Sequence, residues 1–179
     1  MYHIKNDRRV KKSADALSDT LMECLKMSEL SDIPVSELCQ KSAVSRATFY
    51  RIFDTSFDIL RYISDRFVQD SVREFANIEP EDKETFFKTL FRYLLSHIDE
   101  ISALIRCGRQ DILQSSIEKY SSKFIPAELD GIGEERLDYL NMSVAGIIVS
   151  LLYVWDKHGR KETAEDLYET FCLFSQRLG

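Results

Sequence analysis

Where apolar residues are dense in this chain they recur at three- and four-residue steps, and nowhere do they alternate strictly with polar ones. From Arg9 to about Ser28 the row is Val10, Ala14, Leu17, Leu21, Cys24 and Leu25, the spacing of one helix face. "SELSDIP" breaks it, and Val35, Leu38 and Cys39 mark a short second helix ending near Lys41 or Ser42. Ser45 is a plausible cap for a third short helix through about Ile52. "FDTSFDIL" opens a fourth, which Phe57, Leu60, Ser64, Phe67, Ser71 and Phe75 carry to about Asn77. "IEPEDKET" is a joint, with Pro80 followed by acids. Phe87, Leu90, Phe91, Leu94, Leu95 and Ile98 form the next helix, and residues 101–125 read as shorter helical pieces interrupted at "RCGRQ". "FIPAELDGIG" is the least ordered-looking stretch. A long helix follows from Glu134 to His158, with Lys157, His158 and Gly159 as a cation-then-glycine ending. Thr163 and Asp166 make a capping box for a last helix to about Leu178. Six Gly and three Pro in 179 residues leave these helices few interruptions. The expected fold class is all-α.

The same residues exclude several functions. No window approaches twenty apolar residues, so no transmembrane helix is expected. "MYHIKNDRRVKKSADAL" lacks the apolar segment of a signal peptide, which makes the cytoplasm the expected location. The four cysteines, at 24, 39, 107 and 172, contain no C-x-x-C pair, and His3, His97 and His158 lack ligand spacing. No metal or cofactor is expected. Without a nucleophile–base pair, a Gly-rich phosphate loop or paired carboxylates, neither are catalytic residues, and the protein is not read as an enzyme. A net charge of −6 argues at first against nucleic acid, but nine of the 24 Lys/Arg and nine of the 30 Asp/Glu fall in residues 1–60. The whole surplus of acid therefore lies beyond residue 60, and the neutral first third gathers its cations at Lys5–Lys12 and Lys41–Arg51. A local basic patch on a neutral module is compatible with DNA binding, and also with an ordinary solvated surface.

Two short helices joined by a three- or four-residue turn, the second rich in hydroxyls and arginine, describe a helix-turn-helix. Ala43 and Val44 suit the turn, and Leu38, Phe49 and Phe53 suit a buried anchor. Ser45, Arg46, Ala47, Thr48, Tyr50 and Arg51 would form the outward face, with donors for phosphates and base edges. The Arg8–Lys12 cluster could reach phosphates from the first helix.

The stretch "LCQKSAVSRATFYRIFDTSFDIL" resembles the helix-turn-helix of the tetracycline-repressor (TetR/AcrR) family of bacterial regulators. "SVAGIIVSLLYVWDKHGRKETAEDLYETF" is similar to that family's C-terminal helices, so the resemblance covers nearly the whole chain. It implies a three-helix DNA-binding domain at 1–55, a connector helix at about 56–77, and a regulatory and dimerisation domain at 78–179. It implies double-stranded DNA as partner, contacted by Ser45, Arg46, Thr48, Tyr50, Arg51 and Ser56. It also implies a homodimer through the last two helices, with Ser143, Gly146, Ser150 and Phe171 at the interface. A small-molecule effector, of unknown identity, would bind a pocket including Phe91, His97, Arg106, Cys107 and Trp155. The expected function is a sequence-specific transcription regulator, with repression the family's usual outcome, on a pseudo-palindromic operator. The alternative is a protein-binding helical dimer acting as coactivator, its DNA contact weak or vestigial.

Three departures from the family pattern qualify this. Ala43 stands where a turn glycine is usual, which is tolerable if the backbone there is not strongly left-handed. Pro34 stands where a capping hydroxyl is usual, which leaves two expectations, Asp32 as substitute cap or a helix that starts one residue later. Ser56 replaces a lysine that contacts phosphate, leaving a hydroxyl and a helix N-terminus for that role.

Overall fold

The computed structural model describes residues 1–4, 7–75, 83–120 and 133–177. The joint expected near Pro80 and nearly all of the "FIPAELDGIG" stretch fall outside them. Among the described residues the regular structure is helical: α1 (Arg8–Leu25), α2 (Val35–Ser42), α3 (Arg46–Ile52), α4 (Ser56–Phe75), α5 (Lys83–Ser96), α6 (Ile98–Arg106), α7 (Gln110–Tyr120), α8 (Glu134–Lys157) and α9 (Ala164–Arg177). A single 3-10 turn, Leu30–Asp32, precedes α2. The all-α expectation holds, with helix-turn-helix and helical body in chain order. One boundary differs: the sequence runs a single helix through Ile98, whereas the chain bends at His97 and starts α6 there.

The first three helices share a core. Leu17 and Leu21 of α1, Leu38 of α2, Phe49 and Ile52 of α3, and the adjacent Phe53 are all 0% exposed. Truncating one of these phenylalanines to alanine should cost about 3–5 kcal/mol. α4 is buried on most of its circumference, from Asp58 through Phe75. It packs against α1 on one flank and against α5, α6 and α7 on others, which makes it the structural bridge between the two ends of the molecule.

The body closes on two further seams. α5 meets α9, where Phe171 stacks 4.6 Å from Phe87 and 6.1 Å from Phe91. α8 buries Ala145, Ile148, Val149, Leu152 and Trp155, the three- and four-residue row of one helix face, and packs against α6, α7 and α9. Thr163 and Asp166 cap α9 as expected: the Thr163 N–H and hydroxyl both donate to the Asp166 carboxylate at 2.8 Å, and the Asp166 N–H returns a bond to Thr163 Oγ1 at 3.2 Å.

α8 is the most apolar long helix among the described residues, and the core helix of a soluble protein can reach the same composition. Asp138–Lys157 reaches a mean hydropathy of 1.3, and among the described residues it is long and apolar enough to cross a membrane by length and composition. Among the described residues α8 is covered on one face only, as its outer face shows below.

Candidate nucleic-acid interface

The turn between α2 and α3 sets the geometry of the candidate site. α2 ends with the Ala43 N–H on the Gln40 carbonyl at 3.4 Å and the Val44 N–H on the Cys39 carbonyl at 3.1 Å, a Schellman-type closure. Ala43 sits at φ 55°, ψ 26°. The condition under which alanine was expected to replace glycine freely is therefore not met. The turn requires a left-handed residue, and alanine's Cβ costs about 1–2 kcal/mol there. Pro34 proves to be the N-cap of α2 and supplies no side-chain bond, and Asp32 does not substitute for it. The first turn of α2 relies instead on Glu37 near the helix's positive end, itself paired with Lys41 at 2.7 Å.

Ser45 caps α3. Its Oγ accepts from the Thr48 N–H at 3.1 Å and lies 2.9 Å from the Thr48 hydroxyl. Phe49, Ile52 and Phe53 face inward, so the seven-residue helix has one buried side and one free side. Ser45, Arg46, Ala47, Tyr50 and Arg51 are exposed, and Thr48 is half-buried. Tyr50 shows 52% of its surface while its ring packs edge-on to Phe49 at 5.2 Å, so packing and an outward hydroxyl coexist. Neither Arg46 nor Arg51 has an ion-pair partner among the described residues. Two cationic side chains and a phenol thus share one exposed surface beside the Ser45–Thr48 cap, a donor set of the kind that phosphates and base edges require. Lys41, the other cation nearby, is taken up by Glu37.

Ser56 is a weaker candidate than its position at the start of α4 implied. The Thr55 N–H and hydroxyl donate to Asp58 at 2.9 and 3.1 Å, and Asp58 is only 4% exposed. Burial pushes the Asp58 carboxyl up, but the Met1 ammonium and the Thr55 donors outweigh it and hold the group below the usual carboxylate range. The positive end of α4 therefore already carries an internal anion. With Asp54 beside it, that end is poorer ground for a phosphate than a bare helix terminus.

Of the five expected pocket residues, one lines the cleft between α1, α4 and α5. This cleft, of about 290 Å³, is lined by Lys11, Asp15, Arg66, Asp70, Tyr93, His97 and Glu100 together with Ile63 and Phe67, so of the five only His97 belongs to it. Phe91 is 0% exposed inside the α5–α9 seam. The Trp155 indole donates to the Glu162 carbonyl at 2.9 Å, Arg106 is exposed, and Cys107 is half-buried at the end of α6. The cleft's polar groups largely satisfy one another. Asp15 accepts from Arg66 at 2.9 Å and from the Tyr62 hydroxyl at 2.8 Å, Asp70 pairs with Arg73 at 2.7 Å, and His97 stacks on Tyr93 at 4.3 Å.

Of the expected interface residues, Ser143 and Ser150 are exposed and Gly146 is half-buried, all on the outer face of α8, whereas Phe171 is 8% exposed and committed to its own chain. Sequence spacing placed Phe171 on a helix face but could not say which neighbour that face meets. The outer face of α8 also carries Tyr139 at 76% exposure, Leu140 at 45%, Tyr153 at 38% and Val154 at 47%. Tyr139, Ser143, Gly146, Ser150 and Tyr153 follow steps of four, three, four and three, which is a heptad seam. The apolar flank of this seam was not read from the sequence, although the 3.5-residue spacing was there to find.

Two solved structures share this arrangement. Lin0861 from Listeria innocua superposes with a TM-score of 0.85 at 19% identity, covering 99% of this chain and 96% of that one. A TetR transcriptional regulator from Streptococcus agalactiae 2603V superposes with a TM-score of 0.66 at 18% identity, over 94% of this chain and 96% of that one. The fold is TetR-like. No family model matches the sequence, and no curated protein matches it. In the TetR-like frame, α2 and α3 are the helix-turn-helix, α4 connects it to the body, and α8 and α9 close the body.

Proposed function

We propose that this chain is a homodimeric, sequence-specific DNA-binding transcription regulator. The observation that carries the reading is the face of α3: Arg46, Arg51, Ser45 and Tyr50 are exposed, and the two arginines have no ion-pair partner among the described residues. On this reading residues 1–55 form the reader, α4 the connector and residues 78–179 the regulatory and dimerising body. Arg46 and Thr48 reach bases or phosphates in the major groove. Tyr50 and Arg51 hold phosphates, and Ser56 contributes little because Asp58 occupies its helix terminus. The apolar seam on α8 supports a second copy as partner, since the described residues leave Tyr139, Leu140, Tyr153 and Val154 of this hydrophobic helix exposed. Two readers related by a two-fold axis call for a pseudo-palindromic operator with half-sites about 34–36 Å apart. Repression follows from the family resemblance, and an effector would act by shifting the separation of the readers.

The test is selection from a random duplex pool with purified protein. Enrichment of an inverted repeat with half-sites one turn, or a small multiple of one turn, apart supports the reading, and no enriched sequence contradicts it. One observation favours the alternative of a protein-binding coactivator, namely the Asp54 and Asp58 carboxylates on either side of Ser56, the position where the family resemblance implies a lysine. That alternative predicts dimers that form normally and bind DNA without sequence preference.

A further inference from the structure

The N-terminal residues lie against the C-terminal end of α3. Tyr2 and Phe53 form an isolated antiparallel bridge, and the His3 N–H donates to the Ile52 carbonyl at 2.7 Å. Ile52 ends α3, so this bond satisfies one of the carbonyls that a helix leaves unpaired at its C-terminus. His3 Nε2 lies 3.2 Å from Asp54 Oδ1, in the loop that follows.

The Tyr2 side chain runs the other way, across α4. Its ring packs edge-on to Tyr62 at 5.6 Å, and its hydroxyl donates to Asp65. Asp65 is 7% exposed. It also accepts from the Ser116 hydroxyl and the Lys119 ammonium, each at 2.7 Å, and both of those residues belong to α7. One buried carboxylate thereby joins residues 1–4, α4 and α7 with charge-assisted bonds, the stronger class of hydrogen bond. The main packing neighbours of α3 are α1 and α2, while α7 packs on α4, α6 and α8. The path through Tyr2 and Asp65 is therefore a direct polar link from the body to the end of α3.

We propose that Tyr2 is a positioning residue for α3: it pairs with Phe53 beside the His3–Ile52 bond that holds the end of that helix, its hydroxyl holds Asp65, and a disturbance at α7 reaches α3 through this joint. The consequence for DNA rests on the reading of α3 given above, but the joint itself does not. A demonstrated two-state coupling is what separates such a link from mere adjacency.

The test is amide hydrogen exchange on the full chain, as wild type, Tyr2→Phe, Lys119→Gln and the double variant. Tyr2→Phe keeps the ring and removes the hydroxyl. It should speed exchange of the His3 and Phe53 amides about tenfold, because a hydrogen bond to a charged group is lost, while α8 amides stay unchanged. Lys119→Gln should speed the same two amides less, and the double variant no more than Tyr2→Phe alone. Additive effects would mean that α7 reaches α3 by another route, and unchanged His3 and Phe53 amides in Tyr2→Phe would mean that the joint holds nothing; either overturns the proposal. On DNA, Tyr2→Phe should lower the ratio of operator to random-sequence affinity, which a loss of bulk stability alone would leave constant; a constant ratio overturns the positioning role. If Arg46→Ala also leaves DNA binding unchanged while the exchange coupling is present, the reading of α3 fails and the joint stands.

Discussion

α3 and α8 both present a face that the other described residues leave uncovered, and the two faces differ in chemistry. α3 is seven residues long, anchored by phenylalanines, and its outer side carries arginines and hydroxyls. α8 is 24 residues long, and its outer side carries tyrosines, Leu140, Val154 and small residues in a heptad row. Unpaired cations on a rigid helix suit a polyanion. An apolar row with small residues at its centre suits close approach of another helix. On the proposed reading the two faces go to different partners, DNA for one and a second copy of the chain for the other.

The comparison is most easily broken at α8. Ser150→Arg places like charges in the proposed seam without touching the chain's own core. The dimer Kd measured by sedimentation velocity should weaken at least about a hundredfold, close to 3 kcal/mol, with helicity unchanged. An unaffected dimer would remove α8 from the interface. The next effect belongs to α3. Arg46→Ala should cost about 1–3 kcal/mol on the selected operator and less on random DNA if the side chain reads a base. Equal losses would make it a phosphate contact, and titration by fluorescence anisotropy separates the two. The smallest change sharpens the account of the turn. Ala43→Gly should raise stability by about 0.5–1 kcal/mol in chemical denaturation, because relief of the left-handed strain exceeds the added freedom of the unfolded chain. A loss of stability would show that the turn bears no strain.

Much of this was legible in the sequence, and the rest fails for identifiable reasons. The helices α1, α2 and α3 follow from apolar spacing and from Ser45 as cap, because local rules govern short helices around one core. The outward face of α3 follows from the same spacing by subtraction. The left-handed Ala43 could not be read, since nothing about an alanine announces positive φ and only the packing of α2 on α3 demands it. The aromatics Phe91, Trp155 and Phe171 are buried against their own chain, Phe91 and Phe171 in the α5–α9 seam, and helical spacing alone does not separate such packing from the lining of a pocket or an interface. Residues 1–4 gave no periodic signal at all. Their role arises from contacts with Phe53 and Asp65, more than fifty positions away in the chain. The internal anion at α4 was similarly hidden, because Asp58 reads as an ordinary first-turn acid until Thr55 and Met1 are seen to close on it.

The central claim is that the free face of α3 meets DNA, and the salt dependence of binding tests it most directly. For the wild-type dimer on its selected site, log Kobs should fall linearly with log salt, with a slope of about −0.9 per phosphate neutralised. Arg46→Ala with Arg51→Ala should flatten that slope by about two to four contacts per dimer. A weak, nearly flat response in the wild type, or the same slope in the double variant, would contradict the account.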